Sequence, residues 1–571
     1  MSTVQRETVN VRRSESADAQ GISSLICPAT VAVFGQVDVM QLLEKANLAV
    51  TVVDHRDHIL AHASFLDHPV GDVVDAADWE SFLQERFRAE SCTPLNTLFL
   101  HLFVTRSDFA AAGVREILRV VFNSVSELEH LLLISSHHGP LEPALTDTFQ
   151  PLQPLSSDVQ PQCLSFICDR QQHCPRLRLL QARMKDHDGV MSLFDQQRAV
   201  LSVSGEVASL TELMQNQDER NHTAVCQVDG VVVGLISATS DVDLKELCDN
   251  FELEEFNGLQ KKTQATKNSE AAAEEEEEEE EEEGGRFSSQ EETEEKPDVF
   301  WIKFLLLDSK YEMRSVDLLP YVFQLFPDLD FCVITAPTLS PDFSLLQSFF
   351  RARRRPDCSL LYQLYVFHRV GLRPVQVRAA VPEDRPAVCD LVQGQETSES
   401  LLQDLDAVFQ NHGDLEGVQR QAFVAQVDSQ LVGALILRDE ENVEFVRAHY
   451  NIENFIYFSH HRPDEHAHLL HFTLRPLLQH RSRHLLKETL RLAKRSCLYH
   501  RLYQQGEQAP GCEAGLNSSV VKSSSSLELL LDRAVPVRPR RQIVYPLKEL
   551  GINAPSTRIT EEQVRHSEGG H

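Results

Sequence analysis

Residues 98–134 decide the fold of this chain, and they read LFLHLFVTRSDFAAAGVREILRVVFNSVSELEHLLLI. Residues 98–104 are an apolar run bounded by polar residues, which predicts a short buried strand. The apolar residues that follow recur at offsets of 0, 1, 4, 5 and 8, as one stripe of a helix: Ile117, Leu118, Val121, Phe122 and Val125. Residues 131–134 predict a second buried strand. Together they predict a βαβ crossover, whose helix covers one face of a sheet.

The same pattern returns twice more and divides the 571 residues into three parts. The second copy joins residues 300–307 and 331–334 through a helical stripe: Leu318, Leu319, Val322, Phe323 and Phe326. The third copy is weaker and joins residues 469–474 and 497–499 through another stripe: Leu485, Leu486, Thr489, Leu490 and Ala493. Three related units are therefore expected.

Each part also begins in the same way. An alternating strand ends in arginine, and an acidic residue follows that can stabilise a helix start: Asp18, Asp188 and Asp384. Antiparallel hairpins are predicted at residues 46–65, 224–237 and 422–437, the second turning at Asp229-Gly230. After the hairpin, residues 251–256 (FELEEF) and 450–455 (YNIENF) match at identical offsets.

Composition limits the classes of function. With 42% hydrophobic residues the chain can build two to four domains with real cores. The formal charge is −32, and the ten glutamates of residues 274–283 leave −22 for the rest. We therefore expect no nucleic-acid or membrane binding, which requires broad positive surface. No apolar run is long enough to suggest a membrane span, and residues 1–20 lack the apolar core of a signal peptide.

Two clusters raise the question of a metal site. The 12 cysteines contain no CxxC pair and are expected to be reduced, and Cys163, Cys168 and Cys174 beside His173 match no familiar ligand spacing. Histidines crowd residues 460–471, where His466 and His468 could bind a metal from one face of a strand. The alternative for these histidines is a polar loop entering the third crossover. We predict no metal site and no catalytic residues.

Two charged segments are candidates for partner binding. The acidic stretch of about residues 260–298 is predicted to be a solvated, disordered insertion, with an acidic docking tail as the alternative. Near the end of the chain, prolines separate a group of arginines that predicts docking to an acidic partner: Arg533, Arg538, Arg540 and Arg541. A solvated strand edge is the alternative for this group.

The order strand, helix, antiparallel hairpin, strand, helix, strand resembles the GCN5-related N-acetyltransferase fold. This implies a mixed α/β (α+β) chain of three tandem acetyltransferase-like modules at residues 1–172, 173–372 and 373–550, with a flexible tail at 551–571. In that family a Q/RxxGxG/A loop at the crossover helix holds the pyrophosphate of acetyl-CoA. The equivalent loops here, residues 106–114, 308–315 and 475–482, contain Gly113 and no second glycine. Side chains such as Glu312, Met313 and His480 would crowd a phosphate, so no cofactor is expected.

Longer strings at residues 42–51, 92–99, 450–461 and 535–547 resemble the N-terminal region of the cilia- and flagella-associated protein 61 family. This resemblance implies a non-catalytic scaffold of the ciliary and flagellar axoneme at the radial spoke base. The implied partners are the other subunits of the calmodulin- and spoke-associated complex, radial spoke proteins, calmodulin and the nexin-dynein regulatory complex. The implied roles are radial spoke assembly, cilium movement, and sperm flagellum assembly and motility.

The expected location is accordingly the cytoplasm, the cytoskeleton and the axoneme. Longer members of the family continue into a dinucleotide-binding-like domain, and no GxGxxG follows Pro555, so we expect a fragment or a short isoform. The alternative function is an acyl-CoA-dependent N-acetyltransferase with an atypical cofactor loop.

Overall fold

The computed structural model describes residues 9–70, 73–137, 139–155, 163–197, 210–261, 296–338, 343–395, 397–411, 417–501, 530–531 and 534–540. The chain forms two compact units, one of Met1–Cys174 with Pro374–His571 and the other of Pro175–Arg373. The glutamate run of residues 274–283 lies outside the described residues, as do Arg533 and Arg541. The module boundaries at 172, 372 and 550 stay predictions.

The first sheet is built from the first part of the chain. Its seven strands are β1 (Asn10–Arg13), β2 (Leu48–Val53), β3 (Ile59–Leu66), β4 (Thr97–Thr105), β5 (His130–Ser135), β6 (Gln150–Pro151) and β7 (Leu164–Asp169). Their order is β1-β2-β3-β4-β5-β7-β6, and only β4 and β5 are parallel neighbours. The helices are α1 (Ala19–Ser24), α2 (Pro28–Phe34), α3 (Val39–Lys45), α4 (Trp79–Arg86), α5 (Ala110–Ser124), α6 (Pro143–Thr146) and α7 (Arg170–His173).

The crossover predicted from residues 98–134 is confirmed as β4, α5 and β5. The stripe of α5 is buried at Ile117, Leu118, Val121 and Phe122 and packs in one core cluster with Leu131 and Leu133 of β5. The alternate residues Leu132 and Ile134 pack in a second cluster with Trp79 and Leu83 of α4. The first sheet is therefore covered by helices on both faces, as alternation along a strand requires.

The second unit repeats this order. Its strands are β8 (Arg178–Gln181), β9 (Asn221–Val228), β10 (Val231–Thr239), β11 (Val299–Leu307), β12 (Phe331–Pro337), β13 (Phe350–Arg351) and β14 (Tyr362–His368). The sheet order is β13-β14-β12-β11-β10-β9-β8, with β11 and β12 parallel. The helices are α8 (His187–Gln197), α9 (Leu210–Gln215), α10 (Leu244–Asn250) and α11 (Leu319–Leu325), and 3-10 helices span Glu254–Leu259, Ser309–Leu318, Ser344–Ser348 and Arg369–Leu372.

The third sheet belongs to the first unit. Its strands are β15 (Gln376–Ala379), β16 (Arg420–Val427), β17 (Gln430–Asp439), β18 (His466–Leu474) and β19 (Cys497–Tyr499), in that order, with β18 and β19 parallel. The helices are α12 (Arg385–Val392), α13 (Ser398–Phe409), α14 (Val443–His449) and α15 (Ser482–Ala493). Short 3-10 helices include Ile452–Asn454, Phe458–His460, Pro463–Glu465 and Pro476–Arg481. Three mixed sheets, which share the order of their first five strands, confirm the mixed α/β fold class.

The three predicted acidic residues all lie at helix starts, and two of them make the same backbone hydrogen bond. Asp18 and Asp384 each accept a hydrogen bond from the backbone N–H three residues earlier, at 2.8 and 2.9 Å. In the second unit the equivalent acceptor is Asp186, 3.1 Å from the N–H of Arg183, whereas Asp188 is exposed. Asp188 lies in the first turn of α8, where its charge can stabilise the helix start as predicted, and Asp186 makes the backbone hydrogen bond that Asp18 and Asp384 make in the other copies.

No single helix in the described ranges has the length and composition of a membrane span; the pair Ser16–Ser24 and Pro28–Phe34, bent by 116°, meets both criteria only when taken together.

Candidate functional site

The first crossover loop, residues 106–114, contains the glycine that could have approached a phosphate. Gly113 is instead buried within α5, and a Cβ at this position would lie 2.9 Å from the Cβ of Ala61 on β3. Its absent side chain therefore allows helix and sheet to approach closely. At the start of the loop, Arg106 Nε donates to Asp108 Oδ1 at 2.5 Å, which gives the loop an acidic partner of its own.

The second crossover loop is a 3-10 helix, Ser309–Leu318. Its first N–H groups are used locally, because the Asp308 carboxylate accepts from Lys310 N at 3.0 Å and the Asp308 carbonyl from Tyr311 N at 2.8 Å. Ser344 then lies across the loop, with its Oγ 3.4 Å from Glu312 Oε1 and 3.3 Å from Met313 Sδ. An acidic side chain and a covering segment occupy the place where a phosphate would need free donors.

The third crossover loop leads into α15 through the 3-10 helix Pro476–Arg481. Pro476 has no N–H to offer, and Leu478 N donates to Arg475 O at 2.9 Å. Arg481 forms an ion pair with Glu127 of the first module at 3.2 Å, and burial lowers the pKa of its guanidinium. One of the two arginines of this loop therefore serves an internal contact between the first and third modules.

Further contacts bind α15 to the first module. Arg491 donates to the carbonyls of Ala76 and Ala77, at 2.6 and 3.1 Å, and its guanidinium lies 5.7 Å from the ring of Trp79. Lys487 Nζ donates to Pro94 O at 2.8 Å. The polar face of α15 is thus buried, although its sequence reads as the solvent side of an amphipathic helix.

The histidine cluster is resolved into separate pairs. His466, His468 and His471 lie on β18, which begins three residues earlier than predicted, so the reading of these residues as a loop was wrong. The described residues hold no group of three or more His, Cys, Asp or Glu side chains that could bind a metal ion, which also covers Cys163, Cys168 and Cys174. The three histidines have separate partners: His466 Nδ1 with Tyr499 Oη at 2.7 Å, His468 Nε2 with Glu440, and His471 Nε2 with Asp404 at 2.7 Å.

His461 belongs to a different contact. Its Nδ1 lies 2.7 Å from Ser496 Oγ and its Nε2 lies 3.4 Å from Glu44 on α3, while burial lowers its pKa. Beside it, Lys45 Nζ donates to the Glu465 carboxylate at 2.8 Å. These groups fasten the segment before β18 to α3 of the first module.

The arginine segment, residues 534–540, follows a pattern that all three copies share. A residue after the hairpin and a later residue form an isolated antiparallel bridge, which we call the closing bridge: Phe87 with Pro154, Phe251 with Arg354, and Tyr450 with Pro539. The flanking hydrogen bonds also repeat, with Arg88 N to Gln153 O, Glu252 N to Arg353 O and Asn451 N to Arg538 O at 2.9, 2.9 and 3.0 Å. The matching sequences FELEEF and YNIENF begin at the bridge residues Phe251 and Tyr450.

Two of the four predicted docking arginines can be placed, and they differ. Arg540 Nη2 donates to Glu453 at 3.1 Å and its Nε to Arg447 O at 3.2 Å, as Arg355 does to Glu254 and Cys248 O in the second unit. Arg540 therefore holds the closing bridge. Arg538 gives its carbonyl to the bridge and leaves its side chain exposed. A glutamate lies three residues after the bridge residue in both copies, Glu254 after Phe251 and Glu453 after Tyr450. This shared glutamate could have predicted the pairing with arginine from the sequence.

Residues 10–262 and 297–457 match the family model described as cilia- and flagella-associated protein 61, N-terminal domain. A protein of that name from Tetrahymena thermophila is 27% identical over 207 residues, which cover 36% of this chain and 12% of the relative. The matched stretch therefore spans about an eighth of that protein.

Solved acetyltransferase structures are similar to this chain only at low TM-scores. A probable acetyltransferase from Staphylococcus epidermidis is 9% identical, with 34% of this chain and 99% of that chain covered and a TM-score of 0.21. A tandem GNAT protein of the clavulanic acid biosynthesis pathway is 10% identical. The match covers 55% of this chain and 87% of that chain, with a TM-score of 0.18. The fold assignment rests on the strand order of the three sheets.

Proposed function

Because the chain belongs to the cilia- and flagella-associated protein 61 family, we propose that it is a non-catalytic scaffold of the motile axoneme. Its location is the cilium or flagellum, as the family name states. We place it at the radial spoke base, within the calmodulin- and spoke-associated complex, where it supports radial spoke assembly, cilium movement and sperm flagellum motility. Its partners there are other subunits of that complex, radial spoke proteins, calmodulin and the nexin-dynein regulatory complex.

The proposal that the protein is non-catalytic is supported by the contacts that the three crossover loops make. Gly113 is used for helix packing, Glu312 stands where an anion would need donors, and Arg481 is committed to Glu127. A fold whose crossover loops are engaged in internal packing and ion pairs is suited to presenting surfaces. The competing activity, acyl transfer from an acyl-CoA, needs a phosphate site that none of these loops supplies.

The location is tested by expressing the tagged chain in multiciliated cells and extracting the cilia with detergent. We expect the chain to stay with the insoluble axoneme. The matched control is the tagged acetyltransferase of Staphylococcus epidermidis, which should be released into the soluble fraction. Release of both proteins would contradict the proposal that this stretch of the family carries its own docking surfaces.

A further inference from the structure

Exposed aromatic side chains gather in one region of the third module. Among the large apolar residues that stand out from the described surface, every aromatic one falls within residues 445–457: Phe445, Phe455 and Tyr457, exposed by 40%, 51% and 44%. Val535 adds another exposed apolar side chain, at 56%. Aromatic residues are enriched at protein interfaces because they bury a large area at low entropic cost. We call these four residues the aromatic patch.

The closing bridge makes the patch continuous with the arginine segment. Asn451 N donates to Arg538 O at 3.0 Å, and Arg540 N donates to His449 O at 2.7 Å. Val537 packs in one cluster with Ile456 and Phe458, on either side of Tyr457. Residues 537–540 therefore lie along residues 449–458, and Val535 and Arg538 belong to the segment that packs against this stretch.

The second unit shows how the same position looks when it is covered. Phe256 follows its bridge residue by five positions, as Phe455 does, yet it is only 1% exposed. Its ring lies 5.0 Å from that of Phe350, which precedes its bridge residue by four positions, as Val535 does. The third module has a valine, a much smaller side chain, at the position of Phe350. About half of Phe455 is left in contact with solvent, whereas its counterpart is sealed by the chain itself.

The arginine segment brings one cation, Arg538, to the patch, where the nearby carboxylates Glu444 and Glu44 already have partners in Arg447 and Tyr457 N. Within the described part of the chain the Arg538 guanidinium has no hydrogen bond or ion pair, while Glu453 is already engaged by Arg447 and Arg540. The Arg538 guanidinium would attract an acidic segment and repel a basic one, and the aromatic rings would bury apolar side chains of the same segment.

Resting on the scaffold function above, we propose that the aromatic patch and Arg538 form a docking site for an acidic protein segment that carries apolar side chains. The rings supply the buried centre of the interface and the arginine supplies its charge selectivity. Arg540 is excluded from the contact because it holds the closing bridge.

The test begins with photocrosslinking. The purified full chain carries benzoylphenylalanine at position 455 and is irradiated with detergent-solubilised axonemal proteins, and crosslinked peptides are sequenced by mass spectrometry. A second sample carries the probe at Leu361, an 86% exposed apolar residue of the second unit. We expect position 455, and not position 361, to capture one segment that is net acidic and contains apolar residues.

A synthetic peptide of the captured sequence is then titrated against the chain by fluorescence anisotropy. We expect Phe455→Asp and Arg538→Glu each to raise the Kd about tenfold or more, with Leu361→Asp unchanged and all thermal unfolding midpoints preserved. Capture of a basic segment, capture of this chain alone, no capture, or equal affinity in all variants would overturn the docking site. Because this assay uses purified chain, its failure is separate from a failure of axoneme retention.

Discussion

The buried pair on α15 offers a sharp test of how the first and third modules are joined. Glu488 and Arg491 are 2% and 3% exposed, and the guanidinium makes four hydrogen bonds: two to the Glu488 carboxylate at 2.6 and 3.1 Å and two to the carbonyls of Ala76 and Ala77. Arg491→Leu removes all four and leaves a buried carboxylate whose remaining cation, Lys487, is 3.7 Å away. We expect a loss of about 3–5 kcal/mol of unfolding free energy.

A second variant separates charge from packing. Glu488→Leu combined with Arg491→Leu also removes the stranded carboxylate, so this double variant should be more stable than Arg491→Leu alone by about 1–2 kcal/mol. Arg483→Leu, at an exposed position of the same helix, is the matched control and should change stability by less than about 0.5 kcal/mol.

The chain's two tryptophans allow the first unit to be followed by itself. Trp79 lies beside Arg491, and Trp301 belongs to the second unit, so urea unfolding in a Trp301→Phe background reports the first unit by fluorescence. A midpoint for Arg491→Leu equal to that of the control would refute the reasoning. A double variant less stable than the single variant would refute it as well.

Two further outcomes follow from the fold. Gly113→Val should destabilise the first unit by about 1–3 kcal/mol in the same fluorescence assay, because its Cβ would overpack the helix against the sheet, while Ala111→Val on the exposed side should cost less than about 1 kcal/mol. The hydrogen bonds from Arg378 lower the pKa of Asp384, so this pair stabilises the fold above the unfolded pKa near 4, and the contribution is lost as pH falls below it. Asp384→Asn should therefore reduce unfolding midpoints at pH 7 and have a progressively smaller effect as the pH is lowered below about 4, whereas Asp390→Asn, at an exposed site, should have no effect at either pH.

The sequence was informative wherever one face of an element is buried by its own module. The stripe of α5 and the strands at 98–104 and 131–134 could be predicted because their apolar period matches what the core requires. The resemblance to the ciliary family was carried by long strings and is confirmed by the family match.

Residues that act between modules could not be predicted in this way. Glu488 and Arg491 read as a solvent face, and only the neighbouring first module buries them. The strands β6 and β13 contain two residues each, which is too short for an alternating apolar pattern to appear in the sequence. Arg538 and Arg540 looked equivalent, because the partner that separates them, Glu453, is distant along the chain.

The most direct test of the central claim, that the three mixed sheets serve a scaffold and no acyl-CoA chemistry, is calorimetric titration of the full chain with acetyl-CoA. The control is an acetyltransferase that retains the glycine loop, titrated under the same conditions. The filled loops predict no binding heat up to millimolar acetyl-CoA. A Kd in the micromolar range, with saturable heat, would contradict the account and restore the acetyltransferase alternative.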